Sequence, residues 1–475
     1  MKSLFCKSWV WTAVLLAVCV QSRAETAVVL PPAVLEAMKA ARLPPEALSV
    51  VVLPVQTGSP RLLHQAGVPR NPASLMKLVT TTAALDLLGP VFSWRTPVYV
   101  DGQVREGVLF GNMYLQGSGD PRLGAEQLWL LLRRVQGLGF RSIQGDIVID
   151  RSVFSVPPHD PGGFDGEPLR PYNAAPDGLL INYKSLLLQF VPDPAHKLAR
   201  VHAEPPLAGV KWPASVPLSS AECSDYRAGL RADFSNPLNI VFNGTYPLAC
   251  AEKTWPVAYA EPERFAARAV HGMWLQLGGQ LSGTVREATT PSGLKPVLFH
   301  ESPTLAEVVR DINKFSNNVM AEQLFLTLAA QKRGAGQNAL AVEVVQAWWR
   351  ERLSAVEAPQ MDKGSGLSRD ARISAQALAG LLQWAWAQAF MPELLASLPL
   401  TGLDGTLKRS KSSAAAHLKT GSLRDAMGIA GYVDAAQGQR YVLVAMVNHA
   451  NANQARPVMD ALIDWTAGIK PVLEK

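Results

Sequence analysis

Ser74 and Lys77, in Asn71-Pro72-Ala73-Ser74-Leu75-Met76-Lys77, stand three residues apart, a spacing that puts both side chains on one helix face. Asn71 is a capping residue type and Pro72 suits the first helical position, so the pattern predicts Ser74 in the first turn. There a backbone N–H lacks an internal partner, and the positive end of the helix dipole favours an anion. A lysine that is desolvated and near other cations is neutral and serves as a base. The pair therefore has the makings of a serine nucleophile with an adjacent proton acceptor.

Spacing alone does not establish this, because Ser292-Gly293-Leu294-Lys295 repeats it. The second copy is flanked by Pro291 and Pro296 and contains Gly293, which stops a helix from running through it. The first opens an apolar run through Leu78, Val79, Ala83, Leu85 and Leu88 that ends at Gly89-Pro90. For this pair by itself, a helix cap followed by a solvated lysine stays open as a reading. Two later segments bear on the choice. Ser316-Asn317-Asn318 falls at a junction of two expected helices, where it can offer a hydroxyl and an amide to one cavity or simply cap the second helix. Lys419-Thr420-Gly421-Ser422 ends an expected strand, supplying charge, hydroxyls and a glycine that lets a ligand approach the backbone.

The elements that must position these residues come from both ends of the chain. Pro32 to Leu43 reads as a helix, Leu48 to Val55 as a strand and Arg61 to Gln65 as its partner. Ala416 to Thr420, Gly428 to Val433 and Tyr441 to Val447 read as strands, closed by a helix over Ala452 to Ala467. Thr304 to Leu398 reads as almost all helix, with Trp348, Trp349, Trp384 and Trp386. The middle carries short strands (Gly107 to Gln116, Ile143 to Asp150, Leu179 to Phe190), helices over Ala125 to Val135 and Arg264 to Leu277, and many prolines and glycines. The expectation is a discontinuous catalytic domain over 25–95 and 295–475, with residues 96–294 inserted as one or two small, mainly β subdomains. The alternative is a string of independent domains.

Lys2 and Lys7, the apolar Val10 to Val20 and Ser22-Arg23-Ala24 form a secretory leader over residues 1–24. Its removal lowers the net charge from +6 to +3, so the basic pI gives no argument for nucleic acid. No later segment is apolar enough to span a membrane. Cys6 and Cys19 leave with the leader, so Cys223 and Cys250 remain. In an oxidising compartment they are expected to form a disulfide, against the alternative of two buried free thiols. The eight histidines show no metal-ligand spacing, and neither a metal nor another cofactor is expected.

Ser-x-x-Lys, Ser-x-Asn and Lys-Thr-Gly in this order resemble the signature of the penicillin-recognising serine enzymes. The resemblance covers the whole mature length. Because 242 residues separate the first two motifs, the layout is similar to the penicillin-binding protein 4 type of D-alanyl-D-alanine carboxypeptidase/endopeptidase, the class C low-molecular-mass group of peptidase family S13. Gly117-Ser118-Gly119-Asp120-Pro121, Gly364-Ser365-Gly366-Leu367-Ser368-Arg369 and Gly402-Leu403-Asp404-Gly405-Thr406-Leu407 agree, whereas Lys363 stands where an acidic or amide residue is expected.

The resemblance implies an α+β, β-lactamase/transpeptidase-like fold, an antiparallel sheet with helices plus a helical lobe. It also implies a periplasmic enzyme acting on peptidoglycan pentapeptides and cross-linked muropeptides, acylated by β-lactams. Ser74 would attack the D-Ala-D-Ala carbonyl with Lys77 as base, and the N–H groups of Ser74 and Ser422 would hold the oxyanion. Ser316 and Lys419 would pass a proton to the leaving amine and Asn318 would hold the acyl chain. Thr420, Gly421 and Ser422 would receive the terminal carboxylate, with Arg424 a weaker candidate. A β-lactamase or esterase on the same scaffold and a non-catalytic peptidoglycan-binding protein remain as alternatives.

Overall fold

Val50, Val51 and Val52 form an unbroken apolar run because the strand they belong to, Leu48–Pro54, is covered on both faces. Val51 joins Met76, Phe325, Leu378, Val442 and Val444 in one core. Val50 and Val52 join Val34, Leu443, Ala445, Leu462 and Ile463 in another. This alternation defines three layers in the computed structural model, which describes residues 30–469. The leader expected over residues 1–24 lies outside the described residues.

The central layer is a five-stranded antiparallel sheet in the order Leu62–His64, Leu48–Pro54, Arg440–Asn448, Ala426–Asp434, Ala416–Ser422. Helices Pro32–Ala40 and Arg456–Ala467 cover one face. Helix Ala375–Trp386 and the helical lobe cover the other, where the Tyr432 hydroxyl donates to the Leu382 carbonyl across 2.8 Å. Leu48 pairs with Val447, so strands from the two ends of the chain complete one sheet. Helix Met76–Leu88 runs inside the lobe with ten of its thirteen residues buried, polar Lys77, Thr80, Thr81 and Thr82 among them.

Several sequence expectations change at this level. The helix does not start at Pro72. Ala73–Leu75 form a tight 3₁₀ turn and the α-helix begins at Met76, because Ala73 takes a left-handed φ of 49° while Asn71 Oδ1 accepts its N–H at 2.9 Å. The lobe is not continuous helix. Helices Leu305–Phe315, Asn318–Arg333 and Asn338–Arg352 are followed by an irregular stretch before Ala375–Trp386 and Met391–Ser397.

In the middle, Gly107 to Gln116 is two strands, Val108–Phe110 and Met113–Gln116, which enter different sheets. They part at Gly111, where a Cβ would meet Asp101 Oδ1 at 2.6 Å. Ile143 to Asp150 likewise divides into Ser142–Ile143 and Ile147–Asp150. Leu179 to Phe190 becomes a strand only from Ser185, since Asn182, Tyr183 and Lys184 all have positive φ.

Strands Arg95–Val100 and Leu298–Glu301, where the chain enters the middle segment and just after it leaves, pair antiparallel and bring entry and exit side by side. They edge a five-stranded sheet with Met113–Gln116, Ile147–Asp150 and Val285–Glu287. A further five-stranded sheet is built wholly from residues between these, including Ser185–Asp193, Leu198–Glu204 and Lys253–Ala258. One buried core runs through both, from Val98 and Ile149 to Phe190 and Trp274.

Cys223 and Cys250 form the disulfide beside the second sheet. Closing a loop across 27 residues is worth about 3–4 kcal/mol on the chain-entropy account. Replacing both cysteines by serine should lower the denaturant midpoint of this unit accordingly. An unchanged midpoint would show that the bond does not constrain the unfolded chain.

Candidate active site

The left-handed Ala73 turns the backbone so that Ser74 projects from the start of the buried helix. Two glycines make room for this corner. A Cβ on Gly366 would lie 2.0 Å from the Ala73 carbonyl oxygen, and one on Gly421 would lie 2.6 Å from that of Pro72. The sheet's edge strand and the loop around Gly366 therefore close directly on the serine turn.

Lys77, fully buried, donates to Ser74 Oγ at 2.9 Å, Asn318 Oδ1 at 2.6 Å and the Ser365 carbonyl at 2.8 Å. Three acceptors match the three hydrogens of an ammonium. Loss of one proton reverses the contact with Ser74, and the hydroxyl then donates to the amine. Burial lowers the Lys77 pKa to about 7, against the opposing field of Glu322. A base poised there is half-available at neutral pH.

Ser316 arrives from another direction. It ends helix Leu305–Phe315 with a left-handed φ of 56°, and Asn317, not Ser316 or Asn318, caps the next helix by accepting the Met320 N–H at 3.1 Å. The Ser316 and Asn318 side chains are thereby free of the cap, and Ser316 lines the cavity at Ser74 while Asn318 lines a second one. Lys419, also fully buried, donates to Ser316 Oγ at 2.8 Å and to the Thr420 carbonyl at 2.6 Å. Its pKa falls well below the usual lysine value through burial, with Lys77 acting in the same direction. The site thus holds two Ser–Lys pairs, Ser74–Lys77 and Ser316–Lys419.

The edge strand supplies the remaining groups. The Leu423 N–H donates to the Ala426 carbonyl at 2.8 Å, closing the turn. Bonded and non-bonded pairs alternate in an antiparallel ladder, so the Ser422 N–H points away from its neighbour strand toward the open edge. Thr420 and Thr406 hydroxyls lie 2.7 Å apart. Ser74, Ser316, Thr420, Gly421 and Ser422 line one cavity of about 490 Å³. Arg424 is exposed on the turn and does not line it.

Several contributors carry no signal in the motifs. Glu322, one turn after Asn318 and buried, accepts the Ser365 N–H at 2.8 Å and the Gly364 N–H at 3.4 Å, holding the loop whose carbonyl faces Lys77. Burial raises its pKa, while those hydrogen bonds and the charge of Lys363 oppose the rise. Lys363 thus stands next to a carboxylate supplied by a neighbouring helix. Glu322→Ala would leave two buried N–H donors unpaired, and thermal unfolding should show a loss of about 1–3 kcal/mol. A variant as stable as the parent would remove Glu322 from this role.

Lys314, buried, pairs with Asp404 at 2.6 Å, and Asp404 Oδ1 also accepts the Leu400 N–H at 2.8 Å, which fixes the loop presenting Thr406. The middle segment reaches the site as well, since Asn318 Nδ2 donates to the Tyr172 carbonyl at 3.3 Å. Farther along the same helix, Gln323 accepts the Asp177 N–H at 2.7 Å and donates to the Gly119 and Asp177 carbonyls at 3.1 and 2.9 Å. Arg122 pairs with Asp311 at 2.6 Å beside it.

A serine with a buried lysine at its back, a second Ser–Lys pair and an open strand edge make this a serine acyl-transfer enzyme of the penicillin-recognising class. The chain belongs to the D-Ala-D-Ala carboxypeptidase 3 (S13) family, whose model matches residues 32–469. It is 25% identical over 392 residues to the D-alanyl-D-alanine carboxypeptidase DacB of Haemophilus influenzae, covering 79% of this chain and 80% of that one. It is 28% identical over 444 residues to a D-alanyl-D-alanine carboxypeptidase of Actinomadura sp. strain R39, covering 87% and 80%. The fold is that of penicillin-binding protein 4 (dacB) from Haemophilus influenzae, with a TM-score of 0.73 at 22% identity over 91% of this chain and 98% of that one. The same protein in complex with a β-lactam superposes with a TM-score of 0.69 at 20% identity, over 92% and 99%.

Proposed function

We propose that the protein is a periplasmic serine D-Ala-D-Ala carboxypeptidase and endopeptidase acting on peptidoglycan stem peptides and cross-linked muropeptides. Ser74 attacks the carbonyl between the two D-alanines as Lys77 takes its proton, and the oxyanion forms between the N–H groups of Ser74 and Ser422. The amine leaves with a proton supplied through Ser316 and Lys419, and water then hydrolyses the ester on Ser74. Asn318 holds the acyl chain, and Thr420, Gly421 and Ser422 receive the terminal carboxylate. A β-lactam, whose ring amide stands in for the scissile bond, acylates the same serine. Residues 25–95 and 295–475 form the catalytic domain in this proposal, and 96–294 an accessory insertion. Among the described residues no helix is long and apolar enough to cross a membrane.

The observation that carries the proposal is the contact of one buried amine with both Ser74 Oγ and Asn318 Oδ1. A β-lactamase would need a carboxylate free to activate water at the acyl-enzyme. Glu322, the buried carboxylate of this region, instead accepts two backbone N–H groups. Digestion of purified pentapeptide and cross-linked muropeptides tests the reading: release of D-alanine and of monomers is expected. Intact substrates with a rapidly hydrolysed penicilloyl adduct would favour the lactamase instead.

A further inference from the structure

The cavity at Ser74 does not end at the proposed carboxylate position. Past Thr420 and Thr406 it continues between the edge of the sheet and helix Arg456–Ala467, over a floor that includes Ile429, Met459 and Ile463. Its volume of about 490 Å³ falls in the range of about 300–1,000 Å³ that takes a drug-sized ligand, far more than one alanine requires. Its charge is one-sided. Lys408, Arg409 and Arg456 line it and are exposed, and among the described residues none of the three has a carboxylate within ion-pair distance. The one acid in the lining, Asp460, is occupied, accepting from the Ser410 hydroxyl at 2.6 Å and the Lys411 N–H at 3.2 Å. Three cations against the single Asp460 carboxylate leave the lining net positive, and an anionic ligand relieves the repulsion among them.

We infer that this extension binds the leaving strand of a cross-linked substrate, an acidic peptide attached through the amine that Ser74 displaces. The inference rests on the D-Ala-D-Ala peptidase reading, and it follows from the leaving groups' chemistry. A single D-alanine brings one carboxylate, which the Thr420–Ser422 end of the cavity receives. It leaves Lys408, Arg409 and Arg456 without a partner. A leaving peptide carries further carboxylates beyond the first, and Lys408, Arg409 and Arg456 line the same cavity as the groups that receive the first. The extension thereby favours cleavage of cross-links over removal of a terminal residue. Each cation is on the surface, where it strengthens encounter and orientation more than it supports the fold.

The test compares wild type with the triple variant Lys408→Ser/Arg409→Ser/Arg456→Ser on three substrates. These are a pentapeptide ending in D-Ala-D-Ala, a cross-linked peptide dimer, and the same dimer with the leaving-strand carboxylates amidated. The variant should lose about tenfold or more in kcat/KM on the dimer and less than about twofold on the pentapeptide, and should match wild type on the amidated dimer. Added salt should erode the wild-type advantage on the acidic dimer. Equal kcat/KM of both proteins on the dimer, or equal losses on dimer and pentapeptide, would overturn the inference. Weaker binding to intact cell walls with unchanged turnover of the soluble dimer would overturn it too, by assigning the cations to the wall polymer. Wild type that cleaves the pentapeptide but not the dimer refutes this inference alone. Wild type inert to both substrates and to a labelled penicillin refutes the reading beneath it.

Discussion

Ser74→Ala abolishes peptide hydrolysis and covalent labelling by a fluorescent penicillin together, with a loss in kcat of about 10⁴–10⁶-fold, the scale seen when a serine nucleophile is removed. The two losses must coincide because one oxygen forms both esters. The change should leave the fold intact. Ser74 is only half-buried, and its hydroxyl is one of three acceptors around Lys77. Lys77 keeps Asn318 Oδ1 and the Ser365 carbonyl, so the variant should unfold within about 1 kcal/mol of the parent, the net worth of an ordinary hydrogen bond. Full labelling of this variant by penicillin would exclude Ser74 as the nucleophile.

Lys77→Met removes the base while filling similar apolar volume, and acylation by peptide and by penicillin should both fall by about 10²–10⁴-fold, the range for a positioned general base. The wild-type pH profile follows from the same group. Below its pKa Lys77 is an ammonium and takes no proton from Ser74; above it the neutral amine does. Activity in kcat/KM should therefore rise with pH along a limb centred near the Lys77 value of about 7. Glu322 holds that value up by favouring the ammonium. Glu322→Gln keeps an acceptor for Ser365 but removes the charge, so the limb should move to lower pH. A limb that stays in place or moves to higher pH would show that Glu322 does not act on Lys77 electrostatically. Lys77 in turn adds to burial in disfavouring the charged form of Lys419.

Residues whose chemistry demands a particular side chain were the most legible in the sequence. Ser74, Lys77, Ser316, Asn318 and Lys419 were marked out by type, spacing and order, and the structure joins Lys77 to Ser74 and Asn318 and Lys419 to Ser316 by direct contacts, with both serines lining one cavity. The sheet was legible for a different reason: valine-rich runs at both ends of the chain demand cover on two faces, and only each other's strands supply the layer between. What escaped was carried by the main chain or by context. The Ser365 and Tyr172 carbonyls have no residue-type signature. Glu322 reads as one more polar residue in a helix until burial and the Gly364-Ser365 loop give it partners. In the middle segment, strands of two to four residues are too short for periodicity to register, and the left-handed turn at Asn182–Lys184 is masked by the apolar runs on either side of it, Leu179-Leu180-Ile181 and Leu186-Leu187-Leu188.

Gln323 has a consequence for how the molecule can be cut. Its helix carries Asn318, which accepts from Lys77, and Glu322, which holds the Gly364-Ser365 loop, while its own amide, wholly buried, is satisfied by the backbone of Gly119 and Asp177. Excising the middle segment to obtain a trimmed enzyme would strand that amide inside the protein and strip Asn318 of the Tyr172 carbonyl in the same stroke. The helix would have to be redesigned before the shortened chain could keep its geometry. The segment is thus tied by hydrogen bonds to the helix that carries Asn318, and lineages shortening it would be expected to exchange Gln323 for an apolar residue in step.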